Sequence, residues 1–281
     1  MTFSIVARSP HGPAFGVAVA SKFLAVGAVV PAANALAGAL ATQSYANVAF
    51  RPQGLALLRT GVAAADVVAG LTAADPGRAR RQLGVVAATG DGASFTGAEC
   101  HAWAGGATGD GYAIQGNILA GPQVVSLMEE AWLGAGTEDR LGRRLLAVLL
   151  AGDRAGGDRR GRQSAALLVV APGMGYGGTS DVVVDLRVDD HPDPVTELAR
   201  LLDLHALYFD KPDDSTLLDL TGPVAEEVAQ RLTALGRPPA DGTPEALDAA
   251  LDAWAGIENL EERVVPGRID PLVLAHLRAQ G

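Results

Sequence analysis

Thr2 is the residue that type and position best equip for covalent chemistry. The chain opens MTFSIVARSPHGPAFGVAVASKF, and an aminopeptidase is expected to remove Met1 when so small a residue follows it. The chain would then begin on a threonine carrying both an α-amine and a hydroxyl. An unperturbed α-amine has a pKa near ~7.7–8.0, low enough to take the hydroxyl proton close to neutral pH. Nucleophile and base would belong to one residue. The same Thr2 also reads as a β-branched strand residue behind a processed terminus.

Spacing supplies its neighbours. If the first hairpin loop centres on His11-Gly12, facing positions sum to about 23, which sets Thr2 across from Ser21 with Lys22 beside it. Alternation puts Thr2, Ser4 and Val6 on one face and Phe3 and Ile5 on the other. Lys22 and Lys211 are the only lysines, and Lys22 stands in a run otherwise built of Ala, Val and Gly. A cation there would disfavour protonation of a nearby amine. A lysine snorkelling from a strand end fits the same residues.

Further polar residues gather where strands end. Thr42, Gln43, Ser44 and Asn47 follow one strand and precede a helical stretch. Gly116 and Asn117 occupy a similar junction in YAIQGNIL, where Asn117 can donate to an oxyanion or orient a substrate, or else cap a turn. GGDRRGRQS, residues 156–164, carries Asp158, Arg160, Arg162 and Ser164 to the start of another strand. Its guanidinium groups can bind a carboxylate in bidentate fashion or form a solvated loop. Asp185, Asp189, Asp190, His191 and Asp193 crowd one strand end, where they could bind a hard cation, but Asp193-Pro194 reads there as N-cap and N1 of a helix. No metal and no cofactor are expected: CxxC, HExxH, the Walker lysine motif and GxSxG are all missing.

The elements that must position these residues come from the hydrophobic pattern. Alternating runs TFSIVA, FGVAVAS, AVGAVV and GALATQS read as strands, and residues 51–75 switch to helical spacing. QLGVVAAT and ASFTGAE follow as strands around Gly90-Asp91-Gly92, then YAIQGNIL, then helices through Pro122 to Trp132 and in LGRRLLAVLLAGDRA. RQSAALLVVAPG and SDVVVDLRVDD close the group before the helix PDPVTELARLLDLHALYFDK. Hairpin-linked strands with helices in pairs predict an α+β fold, a four-layer αββα sandwich of antiparallel sheets. A composition shift at DKPDDS predicts a domain over 1–210 and a small helical one over 211–281.

Composition narrows the partners. Hydrophobic residues make up 48% and charged ones only 19%, which describes an ordered globular chain. A net charge of −10 opposes binding to nucleic acid or to an anionic membrane. The uncharged stretch 23–41 is long enough to span a bilayer, yet its Ala/Gly content and Pro31 to Asn34 read as two buried strands joined by a turn. One cysteine, Cys100, fits a reducing compartment. A cytoplasmic homo-oligomer, a dimer, acting on a small molecule is expected, its Ala-rich helices packing subunits closely.

The runs TFSIVARSPHG, GVAVASKFLAVGAVVP, GALATQSYAN, AIQGNILAG, GGDRRGRQSAALLVV and DLRVDDHPDPVTEL together resemble the DUF1028 family, assigned to the N-terminal nucleophile (Ntn) hydrolase superfamily. WAGIENLEERVVPGRIDPLVLAHLR is similar to a small peptidoglycan-binding-like domain that accompanies some members. The resemblance implies an αββα sandwich and amide hydrolysis by an N-terminal Thr, Ser or Cys, here Thr2. It implies a cation near the nucleophile, for which Lys22 is the local candidate, and oxyanion-hole amides in the connection holding Thr42 to Asn47. It also implies that Asp158 and Ser164 bond the nucleophile's amine. The second basic residue of some relatives has no match in AVGAVVP. The expected function is therefore hydrolysis of a small amide, lactam or peptide-like substrate, with a catalytically silent ligand-holding protein as the alternative.

Overall fold

The computed structural model describes residues 2–136 and 140–280. Strands β1 (Thr2–Arg8) and β2 (Phe15–Ser21) form the expected hairpin, in register from Phe3 opposite Ala20 to Arg8 opposite Phe15. Next come α1 (Val26–Val29), β3 (Pro31–Asn34), β4 (Gly38–Ser44), α2 (Phe50–Arg59), α3 (Ala64–Ala73), β5 (Arg81–Ala87) and β6 (Ala93–Thr96). β7 (Gly105–Gly109), β8 (Tyr112–Asn117), α4 (Gln123–Leu133), α5 (Leu141–Arg154), β9 (Ser164–Val170), β10 (Val182–Val188) and α6 (Pro194–Phe209) follow.

The strands assemble into a six-stranded sheet, ordered β10-β9-β2-β1-β8-β7, and a four-stranded sheet, ordered β3-β4-β5-β6. Adjacent strands run antiparallel throughout both sheets. The fold is mixed α and β, with a helical C-terminal region.

Alternation decides which side chains meet. Phe3, Ile5 and Ala18 turn one face of the larger sheet toward Val124 and Met128 of α4 and Leu145 and Leu149 of α5. Val6, Val17 and Val19 turn the other face toward Ala39, Ala41 and Val86 of the smaller sheet. Leu40, Leu83 and Val85, on the far side of that sheet, pack on Leu58, Val67 and Leu71 of α2 and α3. Each fully buried aliphatic or Phe side chain contributes about 1.5–3 kcal/mol of transfer free energy.

Two expectations need correction. AVGAVV does not form a strand: Ala25 takes a left-handed backbone (φ 52°) and starts the one-turn helix α1. Gly27 lies so close to β9 that a Cβ on it would stand 2.5 Å from the Ala166 Cβ. Pro31 to Asn34, expected as the interruption, are strand β3 itself, paired with β4 from Pro31 opposite Ala41. Pro31 is tolerated because it opens an edge strand, where a missing N–H leaves no ladder partner stranded.

By internal contacts the chain divides into two compact units, 1–202 and 203–281, with the division falling inside α6. The second unit holds β11 (Leu218–Asp219), α7 (Gly222–Ala234), α8 (Pro244–Ile257), β12 (Arg268–Ile269) and α9 (Pro271–Gln280). Its core gathers Val228, Leu232, Leu251, Trp254, Leu274 and Leu277. Thr243 caps α8 by accepting from the Ala246 amide at 3.2 Å, with Pro244 at the first helical position. Arg263 and Asp270 form an ion pair within this unit, each side chain 4% exposed. Arg263 also donates to the carbonyls of Ala206 and Leu207. No described helix is long and apolar enough to cross a membrane.

Candidate functional site

Strand ends converge around Thr2. Because β1 runs antiparallel to β2 and β8, the head of β1 meets the tails of both. Thr2 lies opposite Asn117 in the ladder, and its Oγ1 stands 3.1 Å from the Ser21 Oγ. The smaller sheet adds Gln43 from the end of β4: its Nε2 donates to the Thr2 carbonyl at 3.3 Å. Asn117 Nδ2 approaches the same carbonyl at 3.5 Å. Thr2, Ser21, Asn117 and Gln43, four residues named from sequence, thus come together.

Between the sheets these residues join a buried polar network. Ser4 Oγ donates to Gln43 Oε1 at 2.7 Å and accepts from Gln115 Nε2 at 2.6 Å. Gln82 Oε1 accepts from Gln43 Nε2 at 2.8 Å and from Asn117 Nδ2 at 2.9 Å. Gln82 Nε2 donates to the Gly116 carbonyl at 2.7 Å. Gln43, Gln82, Gln115 and Asn117 are each at most 1% exposed. Buried amides at this density hold a site in one arrangement, since an unpaired group there costs roughly 1–3 kcal/mol. Two oxygens of the network lack a partner among the described residues: Gln115 Oε1 and Asn117 Oδ1.

Gln82 and Gln115 were not singled out by sequence reasoning. The available signal was an amide within a strand of mainly apolar residues, Gln82 next to Arg81 in RQLGVVA and Gln115 two residues before Asn117 in YAIQGN. A glutamine there needs a partner across the sheets, because burying it unpaired is costly.

The remaining candidates do other work. Asp158, 7% exposed, accepts from the Lys22 amide at 2.7 Å and from the Arg160 amide at 2.8 Å, and pairs with the Arg160 guanidinium. It ties the exit of β2 to the approach of β9. The Lys22 ammonium donates to the Arg162 carbonyl at 3.2 Å, and Arg160 also reaches the Lys22 carbonyl at 3.0 Å. Arg162 is held by Asp153 at 2.7 Å, which pushes its pKa up. Ser164 donates to the Phe23 carbonyl at 2.5 Å and accepts from the Val26 amide, latching the loop into α1. These residues rim the site without reaching Thr2.

Thr42 falls on the opposite side of β4 from Gln43, as strand alternation demands, and Asn47 lies in the connection beyond the strand. Thr42 Oγ1 donates to the Asn47 carbonyl at 3.3 Å, and Asn47 Nδ2 reaches Asp75 at 3.4 Å. Asp75 is bound by the Arg81 guanidinium at 2.7 Å, which holds its carboxyl below the usual carboxylate range despite burial. A hollow of about 770 Å³ between α2 and α3 is lined by Asn47, Phe50 and Asp75. A second, of about 10 Å³, is lined by Ser21, Asp158 and Arg162. Thr2 lines neither.

Backbone strain marks the same end. Ala25 after β2, Ser44 at the close of β4 (φ 68°) and Ile118 after β8 (φ 49°) all take left-handed conformations. For a β-branched residue such as Ile118 that region is sterically disfavoured, and strain of this kind collects at functional sites. Around the acidic string, the His191 Nδ1 accepts from the Asp193 amide and Asp190 accepts from Gln163. Among the described residues no group of three or more metal-ligating side chains comes together.

Two family models match the chain. One, described as "Family of unknown function (DUF1028)", matches residues 2–198. The other, described as "Putative peptidoglycan binding domain", matches residues 208–277. Among solved structures, the chain is similar to the crystal structure of protein SPO2555 from Silicibacter pomeroyi, itself assigned to DUF1028. The two share 33% identity with a TM-score of 0.65, over 80% of this chain and 92% of that one. No curated protein matches the chain.

Proposed function

The chain belongs to the DUF1028 family, and on that premise we propose that it is an amide-bond hydrolase of the Ntn type. In this reading the two sheets and their helices form a four-layer αββα sandwich, and loss of Met1 frees the Thr2 amine. The amine takes the hydroxyl proton as Oγ1 attacks the carbonyl carbon of a small amide, lactam or peptide-like substrate. The tetrahedral adduct collapses to an ester on Thr2, and the leaving nitrogen departs with that proton. Water, deprotonated by the same amine, then releases the acid.

The observation that carries the reading is the contact between Thr2 Oγ1 and Ser21 Oγ at 3.1 Å, on the residue that heads an inner strand. A neighbouring hydroxyl orients the nucleophile, and Gln43 and Asn117 fix its carbonyl. No metal or cofactor is needed, since nucleophile and base share one residue. Lys22, Arg160 and Arg162 lie at the rim, and a substrate carboxylate would compete with Asp158 and Asp153 for the two guanidinium groups.

The test combines intact mass with turnover. Mature protein lacking Met1, hydrolysis of a panel of small amides, lactams and dipeptides, and loss of that hydrolysis in Thr2→Ala support the reading. Retention of Met1, or unchanged turnover in Thr2→Ala, sinks it.

One observation favours a second reading, a catalytically silent ligand-holding protein. Thr2 is only 5% exposed and lines neither hollow. On that reading the C-terminal unit contributes binding of a cell-wall-like fragment, as its family match suggests.

A further inference from the structure

The amide network has a direction, and backbone carbonyls set it. A carbonyl can only accept, so the Gln82 amide nitrogen must face Gly116 O at 2.7 Å and Gly105 O at 3.3 Å. Gln82 Oε1 is thereby turned toward Gln43 and Asn117, and both must offer it their NH₂ groups, at 2.8 and 2.9 Å. Gln43 Oε1 is left to accept from Ser4, and Ser4 to accept from Gln115. For Asn117 the consequence is a fixed amide whose nitrogen is already engaged. Its oxygen stays buried on a residue 1% exposed, without a partner among the described residues.

We propose that Gln82 is a positioning residue, which locks Asn117 so that Oδ1 accepts a hydrogen bond from the freed Thr2 α-ammonium. This rests on the hydrolase reading and changes one part of it: Asn117 serves the base as an acceptor and is no oxyanion donor. Thr2 is directly opposite Asn117 in the β1–β8 ladder, and the Asn117 amide already borders the Thr2 carbonyl. A hydrogen bond to the charged form raises an amine's pKa, so this contact tunes the general base. Of the charged groups at this end, Lys22 is engaged on the Arg162 carbonyl, Asp158 with Arg160, Arg162 with Asp153 and Arg81 with Asp75, while Arg159 and His101 flank Asn117 through backbone hydrogen bonds to Ile118. β8 itself carries no ionisable side chain near Asn117.

The test follows the titration of the Thr2 α-amine by NMR of threonine-labelled, Met1-free full-length protein, released from a fusion tag where cells leave Met1 in place. Asn117→Ala should lower the midpoint by about one pH unit, and Asn117→Asp should raise it. Gln82→Met should lower it as Asn117→Ala does, by unhooking the amide. Gln82→Glu, which keeps an acceptor for Asn117, should not lower it. Thermal melts separate these shifts from loss of fold, and the Asn117 variants decide the matter if Gln82→Met does not fold. An unmoved midpoint in Asn117→Ala overturns the acceptor role, and an unmoved midpoint in a folded Gln82→Met overturns the role of Gln82. Failure of the hydrolase reading looks different: no amide is turned over, while the midpoints still move as stated.

Discussion

Gly84 of β5 lies directly beneath the Gln115 side chain of β8, so that a Cβ on Gly84 would stand 2.0 Å from Gln115 Oε1. The two residues face each other across the gap between the sheets, and the amide fits only because the glycine has no side chain. Gly84→Ala should destabilise the protein by about 1–3 kcal/mol, through overpacking and loss of the Gln115–Ser4 hydrogen bond. Urea unfolding checks this, and a double variant with Gln115→Ala should recover part of the loss. Equal destabilisation with and without Gln115 would refute the steric account.

Ser21 supplies a hydroxyl beside the proposed nucleophile. Ser21→Ala should reduce kcat about tenfold, equivalent to ~1.4 kcal/mol of transition-state stabilisation, with KM nearly unchanged. A rise in KM at constant kcat would instead assign Ser21 to substrate binding.

Asp75 gives a stability contribution that depends on pH. Its carboxyl is held low, chiefly by the hydrogen bond from Arg81. The contribution is therefore complete above the unfolded value near ~3.9, and fades as pH falls through the lower native value. Thermal midpoints recorded from neutral pH downward should drop steeply in that acidic window. Asp75→Asn should be less stable at pH 7 and show a shallower acid limb. An identical limb in both proteins would remove Asp75 from the account.

In the C-terminal unit, Arg263 and Asp270 are a buried pair whose arginine also satisfies two backbone carbonyls. Asp270→Ala leaves that guanidinium buried without its carboxylate and should cost about 3–5 kcal/mol. Replacing both residues with apolar ones of similar volume should cost less than either single change. Denaturant melts of the three variants measure the difference.

Ser44 holds a left-handed backbone that glycine adopts without strain. Ser44→Gly should be stabilising by up to about 1 kcal/mol, the relief exceeding the added freedom of the unfolded chain. Calorimetry reads this directly, and a lower Tm would mean that the Ser44 side chain contributes more than its backbone costs.

Much of this geometry follows from period-two alternation. Facing residues of the first hairpin sum to 23, as Phe3 opposite Ala20 shows, so Thr2 and Ser21 could be paired from the loop length alone. The same rule separates Thr42 from Gln43, although the two are adjacent in the sequence. Other features needed three dimensions. GGATG is a strand only because it pairs with β8 at a sheet edge, since Thr108 is its sole β-former. AVGAVV carries strand-like residues, yet the left-handed turn at Ala25 and the bare Gly27 send it onto β9 as a helical turn. Gln82 and Gln115 sit in mainly apolar strands, and their meeting depends on how one sheet lies over the other.

Ala25, Ser44 and Ile118, left-handed at the exits of β2, β4 and β8, make the strand ends around Thr2 a taut part of the sheet unit. Selection for heat resistance would find its easiest gains among the taut residues, where an unstrained backbone lies one substitution away. Those gains would come from the very turns that carry Gln43 and Asn117 to Thr2, so hardier variants of this chain should also be the slower ones.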